Sequence, residues 1–555
     1  MLCDPLAVLP QFVPLRGQQR RPEISLVAAG ALTTFKGTPE MDFQQFVADQ
    51  NIANDQHILT LCLPEQKPFR VGAECSRQDF VPKVSEMSGF CWQSFKTLYF
   101  CACFSDRKYG EFMDKLKALF KERFTTATEE IKVLLSAHGN EVIDEVTIDQ
   151  VYGGMRGIKC MIWETSSLDA QEGIRFRGFS IPELRQLLPR INGATEPLPE
   201  GLFWLMLTGD LPTEDDVKAL SLEWAKRARL SDADIDLLDH MDSSIHPMTQ
   251  FSIAIMAMQS TSLFAHEYEG GMTKSRYWEF MYEDCMNLIA KLPLVAAYVY
   301  RKTFYGSQHI APDPKLDWSA NFAHMLGKDA PEFKDLMRLY MTIHADHEGG
   351  NASAHTVHLV GSTLSDAYLA LAGGMNALAG PLHGLANQEV MDWIYDMIED
   401  LGTRTPTRDQ ISDYVKKTIA KGVVVPGYGH AVLRSPDPRF LAQRDFARKH
   451  CPDDPMVQIV WHVFDVVPDI LQGLGKVKNP WPNVDAHSGA LLEHYGLGEH
   501  NFYTVLFGVS RALGVLAQLC WDRALNLPLE RPKSLTTEEI REFVASKKVK
   551  TTLSV

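Results

Sequence analysis

The chain is 555 residues long, 45% hydrophobic and 23% charged, with a formal net charge of −15. That length exceeds one ordinary core and implies roughly two to four domains of soluble globular type. The acidic balance excludes a general nucleic-acid or membrane-surface binder, because its long-range field repels polyanions; an anionic ligand would need a local basic pocket.

Residues 1–107 differ from the rest of the chain. Six of the ten cysteines (Cys3, Cys62, Cys75, Cys91, Cys101 and Cys103) fall here, among scattered Pro and Gly and without sustained periodicity. Arg16, Arg20 and Arg21 resemble part of a targeting sequence, whereas Asp4, Glu23 and three early prolines oppose an amphipathic presequence. The expectation is a processed or poorly ordered extension. The other cysteines, Cys160, Cys285, Cys451 and Cys520, are too sparse for a disulfide framework, which favours a reducing compartment.

From Glu111 the pattern F-M-D-K-L-K-A-L-F-K-E-R-F repeats apolar residues at three and four and predicts a helix. I-K-C-M-I-W followed by G-I-R-F-R-G predicts one small β-hairpin near residues 158–177. Ser180 and Glu183 fit a capping box before I-P-E-L-R-Q-L-L. P-T-E-D-D-V-K-A-L opens a further helix with acidic residues in its first turn, as the macrodipole prefers. The remainder reads as mostly helical, so the fold class is all-α. Residues 248–265 and 367–388 lack charge over a membrane-span length, but their polar and small residues read as buried helices, and no transmembrane segment is predicted.

The run H-A-D-H-E-G-G-N-A-S-A-H-T-V-H carries His344, His347, His355 and His358. A metal-dependent hydrolase is the reading it invites. However, H-E-x-x-H is absent and Gly349-Gly350 interrupts a shared helix face, so substrate binding or helix packing fits better than a metal.

Three later stretches set a titratable side chain among Gly, Pro and small residues. They are G-P-L-H-G-L-A-N-Q-E-V with His383, V-V-P-G-Y-G-H-A-V-L-R with His430, and P-W-P-N-V-D-A-H-S-G with Asp485. Two imidazoles and a carboxylate can take a proton from carbon and hydrogen-bond the oxygens where charge develops. An imidazole at a helix N-terminus stays neutral, and His383 precedes an amphipathic stretch. His430 is followed by Arg434 and Arg439, which suits anion recognition. Asp485 serves either as a desolvated base or as an N-cap for a helix near Ala486. Arg511 lies inside the most hydrophobic helix candidate, 501–525, where it needs a carboxylate or a ligand anion. No Ser or Cys nucleophile motif accompanies these groups.

Together with V-Y-G-G-M-R-G, E-G-I-R-F-R-G-F-S-I-P-E, L-P-E-G-L-F-W-L, H-P-M-T-Q and Y-W-E-F-M-Y-E-D-C-M-N-L-I-A-K-L-P, these motifs resemble the citrate synthase family in its eukaryotic mitochondrial form. The resemblance runs from about residue 110 to 540 and does not cover residues 1–107. It implies an all-α fold with a large domain, residues 108–384 and 497–555, and a small domain, residues 385–496.

The implied reaction joins acetyl-CoA to oxaloacetate through an enol or enolate and citryl-CoA. The implied catalytic residues are His383, His430 and Asp485. His347, Arg439, Arg511 and Arg531 would hold oxaloacetate, with Arg531 supplied across a homodimer. Val424, Val425, Pro426, Gly427, Tyr428 and Gly429 would surround the adenine of CoA, and Arg156, Lys274, Arg434 and Lys478 would meet its phosphates. Lys274, in T-K-S-R-Y-W, replaces the arginine of relatives' H-R-T-K-Y-W. No metal, no cofactor beyond the substrates, and no nucleic-acid or membrane partner is implied. The implied compartment is the mitochondrial matrix. Alternatives are a 2-methylcitrate synthase using propionyl-CoA, a non-catalytic relative, and the metal-dependent hydrolase.

Overall fold

A computed structural model describes four short strands between residues 24 and 71 and then residues 92–553, apart from Asn192 and Lys476. The chain divides into two compact units, Met1–Glu111 and Phe112–Val555. In the first unit an antiparallel sheet has the spatial order Ala31–Phe35, Ile24–Ala28, Ile58–Leu61, Phe69–Val71. Ile24 pairs with Phe35 on one side and Leu61 on the other. At three to five residues these strands fall at or below the short end of the window in which alternation can be read, so the sequence pattern does not reveal this sheet. The Arg16, Arg20 and Arg21 cluster lies outside the described residues.

The second unit is predominantly helical. The helix expected from Glu111 lies within a longer one, Trp92–His138. Leu116, Phe120 and Phe124, four residues apart, share one face of it and are buried. They meet Trp278, Tyr282 and Trp521; the Phe120 ring is edge-on to Trp521 at 5.3 Å. The long helices Tyr277–Tyr305 and Tyr503–Ala524 pack together at the centre of this core. Every residue of Tyr503–Ala524 is buried. His500–Ala524 is long and apolar enough to cross a membrane, but its most apolar window is wholly covered by the rest of the chain. The uncharged stretches are likewise accounted for by the mostly buried helices Pro247–Ala257 and Ala367–Leu378.

The hairpin pairs Ser166–Asp169 with Gly173–Phe176, and Phe179–Ser180 adds a third strand. Its first arm is therefore not I-K-C-M-I-W. That segment approaches another loop instead: Trp163 Nε1 donates to Asp346 Oδ2 at 2.9 Å, and a Cβ on Gly349 would fall 2.6 Å from the Trp163 ring. The capping box at Ser180 forms, with its N–H donating to Glu183 Oε2 at 2.7 Å. Thr213 and Asp216 close another at the head of the acidic-turn helix Glu214–Arg227.

Five helices, Ala386–Leu401, Arg408–Ala420, Pro438–His450, Pro455–Gly473 and Asp485–His494, pack largely on one another. Their apolar faces meet through buried Met391, Ile411, Phe440, Val457 and Leu491.

Candidate active site

Two of the Gly/Pro-rich motifs are zipped together by their backbones. Gly429 N–H donates to Trp481 O at 3.0 Å, Asn483 N–H donates to Gly427 O at 2.9 Å, and Tyr428 bridges to Pro482. Gly427 has φ +75°, and a Cβ there would lie 2.9 Å from Ala486 Cα. Only glycine allows both the turn and that approach. The consequence is that the loop ending in His430 lies directly on the segment leading to Asp485.

His430 accepts two backbone hydrogen bonds at Nδ1, from Val432 N–H at 3.0 Å and Leu433 N–H at 3.1 Å. An imidazole nitrogen that accepts is unprotonated, so the proton of the neutral ring sits on Nε2. Burial, with Arg439 nearby, pushes the pKa of His430 down to about 4 and keeps it uncharged.

His383 is the mirror case. Its Nε2 accepts Ser353 N–H at 3.3 Å and lies 2.9 Å from Ser353 Oγ. The proton of the neutral ring then sits on Nδ1. Burial, followed by the charge of Arg511, lowers its pKa to about 4. The helix terminus that faces this ring differs from the predicted one. Ala386–Leu401 begins three residues after His383, whereas Ser353 lies in the first turn of Ala352–Ser362. A free N–H of that first turn reaches Nε2.

Asp485 is the first residue of Asp485–His494, with Val484 at the N-cap, so its carboxylate does not cap the helix. Among the described residues no donor hydrogen-bonds that carboxylate. Burial raises its pKa to about 6, against the opposing pull of Arg439 and Arg511. It remains largely ionised at neutral pH and is a stronger base than an exposed aspartate.

The basic groups converge on the same place. Arg439 is buried and held in a fork by Asp437, with Nε to Oδ1 at 3.0 Å and Nη2 to Oδ2 at 2.7 Å. Arg511 has no ion pair among the described residues. It donates to His344 O at 3.2 Å, Asn351 Oδ1 at 2.9 Å and Ser353 Oγ at 3.3 Å, and lies 4.7 Å over the Phe507 ring. Burial lowers its pKa to about 10. His347, 5.1 Å from the His430 ring, has a buried Nε2 with no protein partner. Burial pushes its pKa well down, and the charges of Arg439 and Arg511 act in the same direction. A buried guanidinium with no ion pair and a buried, orphaned ring nitrogen within reach of its charge fit a bound anion with several oxygen acceptors.

The histidine run divides between two places. His344 stacks on Tyr340 at 4.0 Å, His355 meets Glu530 at 3.0 Å, and His358 meets Asp522 at 2.9 Å. Among the described residues no group of three or more His, Cys, Asp or Glu could hold a metal ion.

Most of the residues expected to meet CoA, and Arg531, lie at the surface. Arg156, Lys274, Val424, Lys478 and Arg531 are exposed, while Val425 is buried and Pro426 partly so. Tyr428 turns its hydroxyl into the protein, where it is buried without a partner. The Arg434 guanidinium folds back onto the carbonyls of Val432 and Leu433 at 2.8 and 2.7 Å. Sequence reasoning missed Asn351, Ser353 and Asp346. Asp346 accepts from Trp163 at 2.9 Å, Thr165 at 2.6 Å, Ser166 at 2.8 Å and its neighbour His347 N–H at 2.9 Å, which fixes the loop bearing His347. Asn351 before A-S-A-H was legible as an N-cap; its reach to Arg511 was not.

Residues 154–533 match the family described as "Citrate synthase, C-terminal domain". A probable mitochondrial citrate synthase of Glossina morsitans morsitans is 57% identical over 432 residues, which is 77% of this chain and 92% of that protein. A mitochondrial citrate synthase of Daucus carota is 57% identical over 423 residues, 76% of this chain and 89% of its own. Among solved structures, Pyrobaculum aerophilum citrate synthase superposes with a TM-score of 0.61 at 26% identity, covering 72% of this chain and 95% of its own. A citrate synthase of Thermoplasma acidophilum, solved as a ternary complex with carboxymethyl coenzyme A and oxaloacetate, shares the fold at 22% identity. Its TM-score is 0.60, covering 71% of this chain and 97% of its own.

Proposed function

The chain belongs to the citrate synthase family, and on that premise we propose that it condenses acetyl-CoA with oxaloacetate and water to give citrate and free CoA in mitochondria. The observation that carries this reading is that His383 Nε2 and His430 Nδ1 each accept backbone N–H groups, which leaves opposite ring nitrogens free to donate, while the buried carboxylate of Asp485 has no hydrogen-bond donor among the described residues.

Asp485 removes a proton from the thioester methyl group, and the C–H electron pair becomes the double bond of an enol or enolate. His383 Nδ1–H hydrogen-bonds the oxygen on which that charge gathers, which lowers the barrier most where the charge is newest. His430 Nε2–H points its proton at the ketone of oxaloacetate. The enolate carbon attacks that ketone carbon, a C–C bond forms, and the alkoxide takes the His430 proton. Water then cleaves the citryl thioester and CoA leaves as the thiol. Arg511, the part of Arg439 outside its Asp437 fork, and His347 Nε2 hold the carboxylates of oxaloacetate. Fixing both reactants converts an encounter into an oriented pair.

Arg531 completes the oxaloacetate site from a second copy of the chain, so the working form is a homodimer. The loop Val424–Gly429 surrounds the adenine, and Arg156, Lys274, Arg434 and Lys478 meet the CoA phosphates. Residues 385–496 close as a small domain on residues 108–384 and 497–555, carrying His430 and Asp485 toward His383 and shutting out water. Release of free thiol by the purified chain, followed with acetyl-CoA and with propionyl-CoA at equal oxaloacetate, tests the reading. Citrate formation with acetyl-CoA preferred is expected; preference for propionyl-CoA, or no turnover with either, would overturn it.

A further inference from the structure

Arg531 sits in an exposed stretch that runs from Asn526 to the helix starting at Thr537, and an arginine reaching into another subunit's site needs a fixed base. The residue before it supplies one. Glu530 N–H donates to Ser362 Oγ at 3.1 Å, and Glu530 Oε1 meets His355 Nε2 at 3.0 Å. Its other oxygen, buried and without a hydrogen bond, lies 3.8 Å from His358 Nε2. His355, His358 and Ser362 recur at three and four along Ala352–Ser362, so one face of that helix presents all three. Behind them, His358 Nδ1 is 2.9 Å from Asp522 Oδ2, and Asp522 Oδ1 accepts from Gln518 Nε2 at 2.8 Å.

The hydrogen bond to Asp522 raises the pKa of His358, opposed by burial and by Arg523 and assisted by Glu530 itself. Glu530 thus lies against two imidazoles and a backbone-held hydroxyl in a half-buried setting, where such contacts outweigh a surface ion pair.

Resting on the reading of Arg531 given above, we infer that Glu530, clamped by His355, His358 and Ser362, is a positioning residue that holds Arg531 in place for oxaloacetate in the partner subunit. The helix that provides the clamp is capped by Asn351, the acceptor for Arg511, and carries Ser353, the donor to His383, in its first turn. A single 11-residue helix thus ties one subunit's own site at its first turn to the arginine lent to the other.

The test is a double-mutant cycle in the full-length protein, with KM for oxaloacetate and for acetyl-CoA measured separately. Glu530→Ala is expected to raise the oxaloacetate KM about tenfold, the effect of losing a charge-assisted contact, with the acetyl-CoA KM within about twofold. In an Arg531→Ala background the same substitution is expected to change neither constant, because there is no guanidinium left to position. His355→Asn, at a partly accessible position, is expected to shift the oxaloacetate KM the same way by a few-fold. If Glu530→Ala fails to fold or dimerise, Glu530→Gln and His355→Asn decide by the same two constants. An unchanged oxaloacetate KM in the Glu530 and His355 variants, with a raised one in Arg531→Ala, overturns the clamp and leaves the reaction intact. An unchanged KM in Arg531→Ala overturns the role of Arg531, and the clamp with it. Equal effects of Glu530→Ala with and without Arg531 also overturn it.

Discussion

The inner and outer halves of the site are built differently. In the inner half the groups proposed to act at the reacting carbons and to hold oxaloacetate within one subunit, His383, His430, Asp485, His347, Arg439 and Arg511, are buried or partly buried, and the chain's own backbone fixes the tautomers of the two reacting histidines. Val432 and Leu433 fix one histidine, and Ser353 fixes the other. In the outer half the groups proposed for the CoA phosphates, Arg156, Lys274 and Lys478, are exposed, as is Arg531, the arginine proposed to serve a second copy of the chain. The lesson is that chemistry at carbon requires groups fixed before the substrate arrives, whereas phosphate recognition can wait for ligand and closure.

The sharpest way to break this contrast is to alter the inner half. Asp485→Asn is expected to lower kcat by about a thousandfold or more, as loss of a general base does, with oxaloacetate affinity largely kept; steady-state rates and calorimetry check both. Arg511→Leu is expected to raise the oxaloacetate KM by about a hundredfold, the size seen when a buried hydrogen-bonded charge partner is removed. Near-wild-type values for either substitution would contradict the inner-half assignment.

The pH profile gives a smaller effect. In the proposed mechanism Asp485 acts in its ionised form, and burial places its pKa at about 6, so kcat/KM for acetyl-CoA is expected to rise with pH through that value and then level off. His383 and His430, each at about 4, stay neutral throughout, so neither adds a second step between pH 5 and about 8. A single rise centred near 4 would mean that Asp485 is not desolvated. The smallest effect belongs to the outer half: Lys274→Arg is expected to tighten CoA binding by only a few-fold, because the charge is kept and only the bidentate fork is gained. No change would remove Lys274 from the CoA site.

The same contrast explains what could be read from the chain. His383, His430 and Asp485 announce themselves through the glycines and prolines around them, and Arg511 through its place in an apolar helix. What the string of residues does not carry is the partner of each group. Ser353 lies 30 positions from His383 in sequence, and its N–H reaches Nε2 only after Ala352–Ser362 packs beside the turn. Sequence alone therefore credits the dipole to the helix that comes after His383. The four histidines between 344 and 358 look like one cluster in sequence, yet His344 turns to Tyr340 while His355 and His358 turn together to Glu530, with Asp522 behind His358. The first arm of the hairpin is misplaced for a related reason: I-K-C-M-I-W has strand-like composition, but Asp346 and Gly349 claim its tryptophan.

The measurement closest to the centre is 15N NMR of the histidine rings at neutral pH, with His383→Gln and His430→Gln used to assign the two signals. Both rings are expected to be neutral, with the proton on Nδ1 in His383 and on Nε2 in His430. A charged ring, or the same tautomer in both, would contradict the arrangement on which the proposed chemistry depends.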